Sequence, residues 1–111
     1  LLLERHHCNL CDISTTSVLR ASHIKEWAES SKEERIDANN GLLLCANHDA
    51  LFDRHLISFE PDTGNICISA SIDDDQRNAL NLSKSARISM NDRMKAYMQI
   101  HYKKFIEKEN Q

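Results

Sequence analysis

The chain has 111 residues, 41% of them hydrophobic and 28% charged, with a net charge of −3, 2 Gly and 1 Pro. This balance describes one small folded domain over residues 1–111 and excludes a disordered chain, and the shortage of Gly and Pro favours regular elements over long loops. The slight negative charge counts against a protein that coats nucleic acid by bulk electrostatics, and no apolar run approaches the ~18 residues that span a bilayer.

The chain begins Leu1-Leu2-Leu3-Glu4-Arg5, without an initiator Met. This apolar start is too short for a signal-peptide core. The expectation is a cytoplasmic fragment of a longer protein, cut just upstream of a folded domain. Residues 1–7 read as a lead-in, a short helix or an extended arm. His6 and His7 are expected on the surface, with phosphate contact as the alternative.

Cys8-Asn9-Leu10-Cys11 forms a knuckle, in which two thiolates two residues apart can hold one tetrahedral ion. Redox chemistry would need a thioredoxin-like βαβ context, which is absent. Residues 12–17 are a loop. Val18 to Ile24 reads as a strand, with Leu19, Ala21 and His23 on one face and Val18, Arg20, Ser22 and Ile24 on the other. The charged stretch Lys25 to Asn40 contains a short helix or polar loop at 30–35, capped by Ser30 or Ser31. Trp27 is expected to cover the small core, with base stacking as the alternative. Turn formers over Asp37 to Gly41 reverse the chain, so that Leu42-Leu43-Leu44 returns as a strand antiparallel to the first.

A helix is expected over about 47–54, with Leu51 and Phe52 packing inward and Asp49 and Asp53 sharing another face. Residues 56–60 and 65–69 make a hairpin around Pro61-Asp62-Thr63-Gly64. In this hairpin Cys67, between Ile66 and Ile68, reads as a small buried strand residue. Residues 70–88 are weakly patterned, with one helical turn at 77–82. From Ser89 the apolar residues Met90, Met94, Tyr97, Met98, Tyr102, Phe105 and Ile106, with His101, recur at helical spacing. Ser89 and Asp92 approximate a capping box, and His101 reads as a hydrogen-bonded structural histidine. The terminal helix is expected to pack on the hairpin.

Two constellations carry chemistry. Cys8, Cys11, Cys45 and His48 are two ligand pairs whose spacing favours a closed, structural Zn²⁺ site over disulfides; the alternative is free thiols and a surface histidine. His23, Asp49 and Asp53 combine an imidazole able to take a proton from water with two carboxylates suited to Mg²⁺. An Asp pair at i and i+4 is more often a solvated helix face, and a lone strand histidine is more often structural. Arg20, Arg54 and His55 lie near this set in sequence and are candidates for phosphate contacts.

The segments ASHIKEW, ERIDANNGLLLC and NHDALFDRHLISF resemble the HNH endonucleases of the ββα-metal superfamily, in particular the C-terminal HNH domains of bacterial restriction-endonuclease-like proteins. The resemblance covers about residues 8–69, and residues 76–108 would be a helical extension. It implies an α+β fold: a ββα-metal HNH nuclease core with a structural zinc knuckle, a following β-hairpin and a C-terminal helix. It further implies metal-dependent cleavage of double-stranded DNA, of restriction or defence type. His23 falls at the general base and Asn40 at the asparagine that holds the loop and orients that base. Asp49 falls at the last histidine of the triplet, a ligand of the catalytic Mg²⁺ or Mn²⁺, and Asp53 at a further ligand seen in colicin-type nucleases. Cys8, Cys11, Cys45 and His48 fall at the structural zinc positions, His48 replacing the usual fourth Cys. Three departures stand out: Asp49 for His, Ser22 where many members carry a metal ligand, and Glu26 where related sequences often have Pro. Expected partners are DNA, an upstream specificity domain and a second copy for cutting both strands, with no membrane. The competing class is a non-catalytic zinc module that binds nucleic acid or protein.

Overall fold

The computed structural model describes residues 7–111. The expectations for residues 1–6, His6 among them, lie outside the described residues. Two antiparallel hairpins and four α-helices follow one another along the described residues. Strand β1 (Leu19–His23) pairs with β2 (Gly41–Cys45), with Leu19 opposite Cys45 and His23 opposite Gly41. The apolar run makes β2 the more buried partner, with Leu42 and Leu44 in the core. On β1 the buried side chain is Ser22, followed by Ile24 just past the strand, while Arg20 and Ala21 face solvent. Helix α2 (Ala46–Asp53) starts directly after β2 and packs on both strands, completing a ββα unit. Its inward face carries His48, Leu51 and Phe52, at the three- and four-residue spacing that aligns side chains on a helix.

The chain leaves α2 through His55, which has φ 58°, and Leu56 N–H returns to the Leu51 carbonyl at 2.9 Å. That left-handed ending is usually given to glycine. The second hairpin pairs β3 (Ile57–Phe59) with β4 (Ile66–Ile68). Its turn ends on Gly64, with φ 78°, where an added Cβ would lie 2.1 Å from the Ile88 carbonyl oxygen. Only glycine fits so close a backbone.

The connecting stretch is more structured than its pattern indicates. Helix α3 (Asp74–Ala79) is capped by the Asp73 carboxylate, which accepts from Gln76 N–H. The turn expected at 77–82 therefore starts earlier, because an aspartate of the acidic run supplies the cap. Ile72, Leu82 and Ile88 are buried singly, without a period, and Asn65 bridges to Arg87 beside the turn.

Helix α4 (Asp92–Glu109) packs on β3, burying Tyr97, Met98, His101 and Phe105. Three expectations about this stripe change. The cap is Asn91, whose side chain accepts from Met94 N–H, rather than Ser89. Met90 precedes the helix, and Ile106 is exposed. His101 is buried and fully paired: Nε2 donates to the Phe52 carbonyl at 2.8 Å and Nδ1 accepts from Ser58 Oγ at 2.7 Å. Burial pushes its pKa down to about 3, so the ring is neutral. Cys67 is only partly buried.

Trp27 does not cover the core. It is 58% exposed, with the Arg35 guanidinium 4.3 Å over its ring. The place expected for the indole is taken by Ile24 and by the polar fastenings of the 25–40 loop around Ser30 and Asn40. Helix α1 (Lys32–Ile36) lies in this loop, with Ser31 and Glu34 forming a capping box.

Candidate functional site

The four-ligand set gathers at the Cys45 end of the β1–β2 hairpin, and His23 stands at the other end. By register they are four residues apart along the strands, roughly 13 Å at the usual strand rise.

At one end, the ligand atoms of Cys8, Cys11, Cys45 and His48 all lie within 4.8 Å of one another. Cys8, Cys45 and His48 are buried and Cys11 is half-buried. The His48 Nδ1 is 3.4 Å from Cys8 Sγ. A tetrahedral Zn²⁺ with bonds of about 2.0–2.3 Å sets its ligand atoms roughly 3.3–3.8 Å apart, so the spacing and the soft donor set fit zinc. The His48 Nε2 donates to the Leu80 carbonyl at 2.8 Å, which leaves Nδ1 with the lone pair turned towards the thiols. Asn9, between the two knuckle cysteines, pins them to the hairpin. Its N–H and its side-chain amide both donate to the Leu43 carbonyl, at 2.8 and 3.1 Å. His7, exposed, donates from Nδ1 to the Cys8 carbonyl at 2.7 Å.

Burial works against ionising Cys8. The His48 ring, the Leu10 and Cys45 N–H groups and the Cys11 thiol outweigh it and hold the Cys8 pKa below the ordinary thiol range. Burial, and then the neighbouring Cys8, push Cys11 the other way. Burial also opposes a charged His48, yet the Cys8 thiol and the Leu80 carbonyl raise its pKa.

At the other end stands His23, half-buried at the last position of β1. Its Nε2 is 3.0 Å from the Arg35 carbonyl. A carbonyl only accepts, so Nε2 carries the hydrogen and Nδ1 of the neutral ring carries the lone pair. Nδ1 has no hydrogen-bond partner among the described residues and is not a buried orphan. The Trp27 ring meets the His23 ring edge-on at 5.6 Å.

The Arg35 carbonyl is held in place by the loop, and the loop is held by Asn40. This residue is fully buried. Its Oδ1 accepts from Lys25 N–H at 2.7 Å, and its Nδ2 donates to the Glu34 carbonyl at 3.0 Å. Helix α4 braces the same loop from outside. Asp37 accepts from Tyr97 Oη at 2.8 Å and from Arg93 at 2.6 Å, and Asn91 donates to Asn39 at 2.7 Å. The Asn39 N–H, Tyr97 and Arg93, working against burial, bring the Asp37 pKa down to about 2. Lys104 of α4 pairs with Glu26 and Glu29.

Asp49 is half-buried on α2 and Asp53, one turn later, is exposed. Neither carboxylate has a hydrogen-bond or ion-pair partner among the described residues. His23, Asp49 and Asp53 do not close into a three-ligand cluster like the cysteine site; among the described residues that site stands alone. Arg20 and Arg54 are exposed. His55 is turned inward, stacked on His101 at 4.4 Å, and its buried Nε2 lacks a hydrogen-bond partner and lies 3.7 Å from Glu26.

Residue types alone do not reveal Asn9, Asp37, Tyr97 or the Leu80 and Arg35 carbonyls as supports. The nearest signal is Asn9 inside the knuckle, since Asn offers both a backbone and a side-chain donor.

A family model described as HNH endonuclease matches residues 8–60, a span that runs from the first knuckle cysteine through both constellations. A search of curated proteins returned no match.

Proposed function

From the match of residues 8–60 to the HNH endonuclease model, we propose that the chain is a nuclease of that kind and hydrolyses DNA phosphodiester bonds with the help of a divalent cation. The observation that carries the reading is the His23 ring. Its Nε2 is committed to the Arg35 carbonyl, which leaves Nδ1 as the base. In this reading His23 Nδ1 takes a proton from water, the water oxygen attacks phosphorus, and the bond to the 3′-oxygen breaks. Asn40 acts as a positioning residue, keeping the loop that presents the Arg35 carbonyl.

Asp49 and Asp53 are the residues that would hold Mg²⁺ or Mn²⁺. Two unpaired carboxylates one helical turn apart suit a cation that keeps waters and takes phosphate oxygens as its other ligands. Such an ion supplies charge neutralisation at the phosphate and the leaving oxygen. Arg20 and Arg54 are the proposed phosphate contacts. The proposal of a restriction or defence role is supported by the resemblance of the three motif segments alone.

The test is nicking of supercoiled plasmid in Mg²⁺ or Mn²⁺ by the wild type and by His23→Ala, with zinc content and circular dichroism measured on both. The expected result is a rate about 10²–10⁴-fold lower in the variant, the usual worth of a general base, with zinc and fold unchanged. Equal nicking by the variant overturns the role of His23. A folded, zinc-loaded wild type that binds DNA without nicking it favours the non-catalytic zinc module.

A further inference from the structure

The loop between the strands leaves in water the side chains that a small protein most readily buries. Trp27 is 58% exposed and Ile36 is 82% exposed, the two highest values for large apolar side chains among the described residues. Trp27 is not loosely attached. The Trp27 carbonyl accepts from Arg35 Nε at 3.0 Å, and the Arg35 guanidinium lies 4.3 Å over the indole ring. Ile36 closes helix α1, next to the carbonyl that fixes His23. An exposed aromatic held in one orientation has already lost much of the freedom that binding would otherwise cost.

The charges around it are also settled. Glu26 and Glu29 are paired with Lys104, Glu34 with Lys25 and Asp37 with Arg93. Arg35 makes no ion pair among the described residues. The loop thus neutralises most of its carboxylates and keeps one cation over its exposed ring, a surface that does not repel phosphate.

We propose that Trp27, with Arg35 above it and Ile36 next to Arg35 in the chain, is the element that seats double-stranded DNA against His23, the indole resting on sugar and base edges of the minor groove and Arg35 on the backbone. The inference rests on the nuclease reading. The Trp27 and His23 rings are 5.6 Å apart, so a duplex whose phosphate reaches His23 lies against the indole. Apolar side chains set into the minor groove are a known means of positioning a duplex without reading its sequence in full.

Trp27 is the chain's one tryptophan, so its emission reports on this position alone. The zinc-loaded chain is titrated with a short duplex without added Mg²⁺ or Mn²⁺, and the titration is repeated with Trp27→Phe and Trp27→Ala followed by anisotropy of labelled DNA. The expected results are saturable quenching of the wild-type emission, affinity roughly tenfold weaker in Trp27→Ala, as for loss of one aromatic contact, and most of it kept in Trp27→Phe. Plasmid nicking is measured in parallel. Nicking and duplex binding with unchanged emission, or with Trp27→Ala equal to wild type, overturns the seat and leaves the nuclease standing. Quenching by single strands but not by duplex also overturns it. A folded protein that neither binds nor nicks DNA overturns both readings.

Discussion

The two ends of the β1–β2 hairpin solve opposite problems with the same few residue types. At the Cys45 end, four soft ligands face one point, three of them buried, and a tetrahedral ion there would have no free position. At the His23 end, one ring nitrogen is committed to the Arg35 carbonyl and the other has no hydrogen-bond partner among the described residues. A closed set of ligands stabilises; an open nitrogen can act on something that arrives. In the proposed reading one end supplies stability and the other chemistry, although the two share a hairpin of five-residue strands.

Removing the metal should produce the largest effect. In small metal-stapled domains the apparent binding energy is about 10–16 kcal/mol, comparable to or above the whole stability of such a domain, about 5–15 kcal/mol. Chelation, or Cys45→Ala, is expected to abolish the cooperative melting transition followed by circular dichroism, and nicking with it. His23→Ala should leave that transition in place. A chelated protein that still melts cooperatively would break the comparison, because the cysteine end would then not carry the fold.

Asn40→Ala probes the join between the two ends. The change leaves Lys25 N–H and the Glu34 carbonyl without their partners in a buried place. An unpaired buried group costs about 1–3 kcal/mol, so urea unfolding should show a loss of a few kcal/mol. Nicking should fall as well, since the loop that presents the Arg35 carbonyl loosens. Zinc content should hold at one ion per chain. Loss of zinc in this variant would show that the ends are not independent.

What was legible in the sequence follows the same division. The cysteine site could be read because its information is local: ligand type and a spacing of two residues, twice. The apolar run Leu42-Leu43-Leu44 placed the second strand, and the stripe on α4 placed the terminal helix. The His23 end is different. Its ring is oriented by the Arg35 carbonyl and the zinc-site histidine by the Leu80 carbonyl, and a carbonyl is the same on any residue. Trp27 misled because an indole usually signals a core; the core here closes without it, around Ile24, Phe52 and Phe59. Ile72, Leu82 and Ile88 were hidden because single buried residues carry no period. The left-handed ending of α2 at His55 lacked its usual glycine, so the ring stacked on His101 read as a candidate phosphate contact.

The smallest effect is expected outside the matched residues, and it bears on how far the chemical end extends. Asp37 ties the loop to α4 through Tyr97 Oη at 2.8 Å, and Tyr97 lies beyond residue 60, where the family match stops. Tyr97→Phe removes that donor and keeps the ring. The folded pKa of Asp37, about 2, lies below the ordinary carboxylate value of 3.8, held there by the Asn39 N–H first and Tyr97 next. A carboxyl depressed in this way contributes stability above pH ~4 and loses it as the pH falls towards ~2. The variant should therefore be less stable by about 1 kcal/mol or less at neutral pH, and the difference should close in acid. Urea unfolding of both proteins at pH 7 and pH 3 measures it. If nicking falls while zinc content stays constant, α4 is part of the apparatus that aims His23. If stability falls alone, with the rate and its pH profile unchanged, α4 is a brace for the fold and the chemical end stops at the loop.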